Sequence, residues 1–155
     1  MRHGRLTLLL LAGCLLAAGC RGTGTPAPAS AASRPRERIL LAEGWRFAAT
    51  DESVAAEART FDDSVWPTVQ VPHTWGAGHQ RAGWYRLRFR IAPEDLGGRR
   101  VYVCFDGVSV YADFYVNGQH LGQHRGGFTR FTFDATPHLV EGENVLAVRA
   151  SNDPA

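Results

Sequence analysis

Tyr111, Asp113 and Tyr115 fall two residues apart in YADFY, so a strand through them places two phenol rings and a carboxylate on one face. Aromatic rings flanked by a carboxylate suit the apolar face and the hydroxyls of a sugar. The same face could equally pack on a second sheet, cover a neighbouring domain or meet water. Among the 6 histidines, His120 and His124 share an edge of the hairpin described below, and His73 and His79 lie near each other in sequence. A zinc centre needs three or four converging ligands with a satisfied second shell. With no cysteine partner and no His-rich spacing, neither a metal nor any other cofactor is expected, and the histidines read as structural or surface residues. The acids also read as structural. Asp62, Asp63 and Asp106 sit in turns, Glu94 and Asp95 at a helix start, and Glu141 and Glu143 around Gly142. No residue is assigned a catalytic role.

The elements that must position these groups are short strands. In RVYVCFDGVSVYADFYVNGQHLGQHRGGFTRFTFD (residues 100–134), Val101, Val103 and Phe105 alternate with Arg100, Tyr102 and Cys104 before an Asp106-Gly107 turn. Ala112, Phe114 and Val116 alternate with the tyrosine face. Asn117-Gly118 tolerates the positive φ of a two-residue hairpin turn, so His120 to His124 return as the partner strand. Tyr85, Leu87, Phe89 and Ile91 alternate with Arg86, Arg88 and Arg90, a strand expected to carry its charges in water. Ile39-Leu40-Leu41 and Trp45-Arg46-Phe47 flank Glu43-Gly44 as a bent first strand. Phe61 and Trp66 pin an Asp/Ser-rich turn, Val69 to Val71 form a short strand closed by Pro72, and Val145 to Ala150 form another. Pro93 to Gly97 predicts one helical turn, as does Thr136 to Leu139. Cys104, within a strand and with no partner in the folded part, reads as a small buried apolar residue. The fold class is all-β.

These residues carry a resemblance. FDGV, YVNGQHLGQHRGGFTRFTFD and EGENVLAVRASND, preceded by FDDSVWPTVQVPHTW and GWYRLRF, resemble the N-terminal sugar-binding domain of glycoside hydrolase family 2, the β-galactosidase and β-glucuronidase family. The match runs from about Gly44 to Asp153. It implies a jelly-roll β-sandwich, galactose-binding-domain-like, that precedes an immunoglobulin-like domain and a catalytic (β/α)₈ barrel. It also implies that a further Gly-Gly-containing strand, not present before Ala155, completes the jelly roll. In some members the loop matching Gly76 to Ala82 reaches the active site, which makes His79 and Arg81 candidate sugar contacts beside Tyr111, Asp113 and Tyr115. The loop here is short and lacks the Asn of the best-known β-galactosidases. Retaining glycoside hydrolysis needs two carboxyl groups about 5–5.5 Å apart, and in the family both belong to the barrel, which takes about 250 residues. A chain of 155 residues has no room for it.

Residues 1–20 read as a lipoprotein-type signal peptide: Arg2 and Arg5, an apolar run from Leu6 to Leu16, then small residues before a cysteine. The run is shorter than the about 20 residues that span a bilayer. Cys20 is favoured as the lipidated residue and Cys14 is the alternative, with an ordinary cleaved secretory signal as the rival reading. Residues 21–37, rich in Gly, Pro, Ala, Ser and Thr, read as a flexible tether, and 38–155 as the sugar-binding domain. All 17 basic residues are arginine; setting aside Arg2 and Arg5 in the leader leaves 15 against 15 acids, which argues against a nucleic-acid partner. The expected protein is an exported, membrane-anchored lipoprotein that touches the membrane only through its N-terminal lipid. Two functions fit. One is the accessory domain of an exported family 2 glycoside hydrolase, contacting a β-linked glycoside beside the catalytic barrel of the same gene product. The other is a free-standing carbohydrate-binding module without enzymatic activity.

Overall fold

A computed structural model of the chain describes residues 36–50, 54–75, 81–108 and 110–152. From Ile39 onward these form a compact unit of eight strands. The strands are β1 (Trp45–Ala49), β2 (Thr68–Val69), β3 (Ala82–Ile91), β4 (Tyr102–Phe105), β5 (Tyr111–Val116), β6 (Gln119–Arg125), β7 (Phe131–Asp134) and β8 (Gly142–Ser151). One helical turn, α1 (Pro93–Leu96), and a 3-10 turn (Thr136–His138) lie at the two proline-led sites. All pairings are antiparallel. Six strands form one sheet in the order β2-β1-β3-β8-β5-β6, and β4 pairs with β7 in the second. The two sheets face each other as a jelly-roll β-sandwich.

Alternation decides what is buried. Phe47, Tyr85, Leu87, Phe114, Val116, Leu146 and Val148 point from the large sheet into a core closed on the other side by Val103, Phe105, Phe131 and Phe133. Phe114 is fully buried, with ring centroids 4.6, 5.2 and 5.1 Å from those of Phe105, Phe131 and Phe133. Burying a ring of this size stabilises the fold by about 1.5–3 kcal/mol. At the edge of this core His73 packs on Phe47 at 4.8 Å, and its Nδ1 lies 2.9 Å from the Tyr85 hydroxyl. Burial pushes the Tyr85 phenol up to about 12.

The β5–β6 hairpin turns on Asn117 and Gly118, both at positive φ (51° and 84°), as the two-residue turn requires. Asn117 also fastens the hairpin to its surroundings: its Nδ2 donates to His138 O and Asn144 Oδ1, and its Oδ1 accepts from Val145 N. A bulge then breaks the register, so that Tyr115 pairs with His120 but Phe114 pairs with Gly122. Gly122 (φ 152°) allows it; a Cβ there would lie 2.6 Å from the Phe133 ring.

Four expectations change. The strand of Arg86, Arg88 and Arg90 does not leave all its charges in water: Arg88 and Arg90 are exposed, but Arg86 is completely buried. Residues 54–66 lie across the part of the large sheet's outer face that carries Trp84 and Arg86. The Arg86 guanidinium donates through Nε to Asp63 Oδ2 (2.8 Å), through Nη1 to the carbonyls of Ala56 and Ala58, and through Nη2 to Phe61 O. Cys104 is exposed, because it lies on the outer face of β4, which no other described element covers. The first strand begins at Trp45, after Gly44 turns the chain at φ 78°; Ile39 and Leu40 stay outside, 70% and 86% exposed. The short strand β2 is Thr68–Val69 rather than 69–71.

Candidate carbohydrate-binding face

The outer face of the large sheet can be read row by row from the strand register. Across β6, β5 and β8 the first row is Arg125, Tyr111, Ser151; the second is Gln123, Asp113, Arg149; the third is His120, Tyr115, Ala147. Tyr111, Asp113 and Tyr115 therefore share one face, each half-buried, while Ala112, Phe114 and Val116 between them enter the core.

Their surroundings differ. Tyr115 leans on Trp84 (5.8 Å) and His120 (5.1 Å), at the border of the apolar cluster that residues 54–66 form over Trp84 and Ala147. Burial first, and then the charges of Asp113 and Glu57, raise its phenol above the usual tyrosine value against the opposing pull of Arg149. Tyr115 is thus largely a packing residue. Tyr111 is further out, with the Arg125 guanidinium 5.1 Å from its ring centroid, so a sugar stacking on that side of the ring must displace or share the arginine. Asp113 Oδ1 accepts from Gln123 Nε2 (3.3 Å) and lies 3.1 Å from His120 Nε2. Together Tyr111, Asp113, Gln123, Arg125 and Arg149 make a polar rim around one ring, with donors and an acceptor of the kind that reads hydroxyl groups. Beside it, the indole N–H of Trp84 is buried without an acceptor among the described residues.

Arg81, the other described candidate, is exposed just before β3, and its carbonyl accepts from Asn152 N at 2.8 Å. It belongs to the end of the sandwich rather than to the tyrosine face. His79, Cys14, Cys20, the leader and nearly all of the tether lie outside the described residues. His120 and His124 both lie on the edge strand β6, but the bulge turns His120 towards Asp113 while His124 stacks on Phe131 at 3.8 Å. Arg125, Gln123 and Arg149 were not singled out in the sequence. An unbroken two-residue hairpin would set His124, not Arg125, opposite Tyr111, so only the bulge reveals the partner.

Several of the described acids make ion pairs or turn hydrogen bonds. Asp63 binds Arg86 and Arg88, Asp95 binds Arg99, Asp106 binds Arg130, Asp134 binds Arg100, and Asp62 Oδ1 accepts from Ser64 N. Among the described residues no three His, Cys, Asp or Glu side chains gather as a metal site would require.

Comparison with known proteins agrees with this architecture. Residues 60–152 match the family model described as "Glycosyl hydrolases family 2, sugar binding domain". A β-glucuronidase of Formosa agariphila is 37% identical over 127 residues, covering 70% of this chain and 13% of the enzyme. A β-galactosidase of Bacteroides ovatus is 33% identical over 176 residues, covering 98% of this chain and 20% of the enzyme. The crystal structure of a Bacteroides uniformis β-glucuronidase superposes with a TM-score of 0.69 at 30% identity, over 74% of this chain and 14% of that one. The chain thus spans a fifth or less of these relatives. It belongs to glycoside hydrolase family 2, as that family's sugar-binding domain.

Proposed function

We propose that this domain serves an exported glycoside hydrolase, buttressing a catalytic barrel encoded in the same gene product and shaping the rim of its sugar pocket. The parent reaction is hydrolysis of a terminal β-linked glycoside, a β-galactoside or a β-glucuronide, the two activities named for the relatives above. The observation that carries this reading is the family match over residues 60–152 in a chain that spans a fifth or less of its relatives. Residues 1–20 supply export, and lipidation at Cys20, or alternatively Cys14, anchors the domain through the tether of residues 21–37. Carbohydrate contact falls to Tyr111 and Asp113, with His79 and Arg81 towards the active site and Tyr115 as support.

The direct test is glycan binding by the purified chain, alongside Tyr111→Ala and Asp113→Ala. The reading expects binding to β-linked galactosyl or glucuronyl glycans that both substitutions weaken about tenfold, the loss of a hot-spot contact. Binding that is unchanged in both variants removes the tyrosine face from the site. For the anchor, Cys20→Ser should move the protein from the membrane to the soluble fraction while Cys14→Ser should not. The reverse result makes Cys14 the processed residue.

A further inference from the structure

Most arginines on this domain's sheets and turns have an acid of their own. Arg86 and Arg88 share Asp63, Arg99 holds Asp95, Arg100 holds Asp134, and Arg130 holds Asp106. Arg125 and Arg149 differ. Among the described residues neither donates to a carboxylate or a carbonyl: Arg125 lies over the Tyr111 ring, and Arg149, half-buried, acts through its charge on the Tyr115 phenol. The acid between them, Asp113, turns its Oδ1 to Gln123 and His120 instead. Across the β3–β8 ladder Arg149 faces Trp84, whose indole N–H is buried without an acceptor among the described residues. On this part of the face donors outnumber acceptors, and two guanidiniums stand against one carboxylate.

The register places both arginines around one ring. Arg125 on β6 is directly opposite Tyr111, and Arg149 on β8 is its diagonal neighbour, paired with Asp113. Adjacent strands lie about 4.8 Å apart and diagonal neighbours about 7–8 Å, within reach of long side chains. The guanidiniums therefore flank the phenol from opposite sides. A pyranose laid on the ring brings its substituents to one or the other. A hydroxymethyl group gives an arginine one neutral acceptor, whereas a carboxylate matches its planar fork with two parallel charge-assisted bonds, each about twice as strong as a neutral one. That ion pair offsets the loss of the Arg125–Tyr111 contact which a stacked sugar displaces, and a neutral sugar has nothing equivalent to offer.

We propose that the Tyr111 face takes an acidic sugar, a uronate residue of a glycan chain, whose ring rests on Tyr111 and whose carboxylate is received by Arg125 and Arg149. The inference rests on the reading of this face as a carbohydrate site and narrows its ligand. The test is calorimetric binding of the purified chain to a β-linked oligoglucuronate, to the same oligomer with its carboxylates reduced to hydroxymethyl groups, and to a sulfated galactan. The uronate should bind about tenfold more tightly than the reduced oligomer, and Arg125→Gln and Arg149→Gln should each remove most of that margin. Arg125→Lys and Arg149→Lys, which keep the charge and lose the fork, should restore only part of it. Arg90→Gln, an exposed arginine at the far end of β3, should change nothing. Melting temperatures of the glutamine variants within about 2 °C of wild type show that the losses are not unfolding. Equal affinity for the acidic and reduced oligomers, with the arginine variants unchanged, overturns the inference and leaves the carbohydrate site standing. Tighter binding of the sulfated galactan through the same two arginines overturns the carboxylate assignment, and a loss in Arg90→Gln as large as in Arg125→Gln reduces the effect to bulk charge. Binding of none of the three removes the carbohydrate reading of this face and the inference with it.

Discussion

Replacing Asp63 by alanine should destabilise this domain more than removing a partner from either exposed ion pair, Arg100–Asp134 or Arg130–Asp106. Asp63 is 5% exposed and its carboxylate joins two arginines, at 2.8 Å from Arg86 Nε and 3.0 Å from Arg88 Nη2. Removing one partner of a buried ion pair costs about 3–5 kcal/mol, because the other charge stays buried without it. Arg86 would keep its bonds to the carbonyls of Ala56, Ala58 and Phe61, which places the loss near the lower end, about 3 kcal/mol. For a folded unit of this size that is about 10–15 °C in melting temperature. Arg86→Leu should cost about as much, since it leaves Asp63 with Arg88 alone and takes the guanidinium donors away from the carbonyls of Ala56, Ala58 and Phe61. Urea and thermal unfolding followed by tryptophan fluorescence measure both. A loss below about 1 kcal/mol for Asp63→Ala, the range of an exposed pair, would refute the assignment of Arg86 as the clamp on residues 54–66. Acid should reveal the same pair. Burial alone would raise the Asp63 carboxyl, but its hydrogen bonds to Arg86 and Arg88 and their charges outweigh burial and hold it below the usual value. The folded pKa is depressed, so its contribution is full above the unfolded value of about 3.9 and is lost as pH falls through the folded one. Asp63→Asn should flatten the stability profile in that window; an unchanged slope would show that other carboxylates carry it.

Three further outcomes follow from particular side chains. Trp84→Phe removes a buried N–H that has no acceptor among the described residues, so it should cost less than about 1 kcal/mol, against about 3–5 for Trp84→Ala; equal losses in urea would mean that the indole N–H is satisfied. Asn144→Ala should cost about 3 kcal/mol, because this fully buried amide bonds Val140 N, Val140 O, Gly142 O and Asn117 Nδ2 at once; a melting temperature within 2–3 °C of wild type would show the network to be dispensable. Cys104, on the exposed face of β4, should react with a maleimide in the folded protein at nearly the rate seen in urea. Protection of a hundredfold or more would mean that the face is covered.

The strand pattern was legible because period-2 alternation, the Asn117-Gly118 turn and the two proline-led turns are local signals, and each forms where its residues place it. Motifs spread over the chain carried the family. What local reading missed were long-range facts. Arg86 looked like a solvated residue because its alternation with Tyr85 and Leu87 marks the outer face of the sheet. That face is dry only because residues 54–66, some 25 positions away, lie across it. Cys104 was misplaced for the opposite reason, its small apolar side chain lying on a face left open. The bulge at Gly122 has no reliable signature beyond the glycine, yet it decides that Arg125 rather than His124 meets Tyr111. The site is correspondingly less legible than the fold: three residues chosen for sharing a face do share it, but each is already engaged by a neighbour that only the register identifies.

The claim on which the account depends is that this domain holds sugar or shapes its pocket, while the bond-breaking carboxylates belong to another domain. The most direct measurement is turnover of chromogenic β-glucuronides and β-galactosides by the purified 155-residue chain, assayed beside the full-length gene product. The account predicts hydrolysis by the full-length protein and none above background by the chain alone. Turnover by the isolated chain that disappears on changing one of its own aspartates, Asp113→Asn for example, would contradict it.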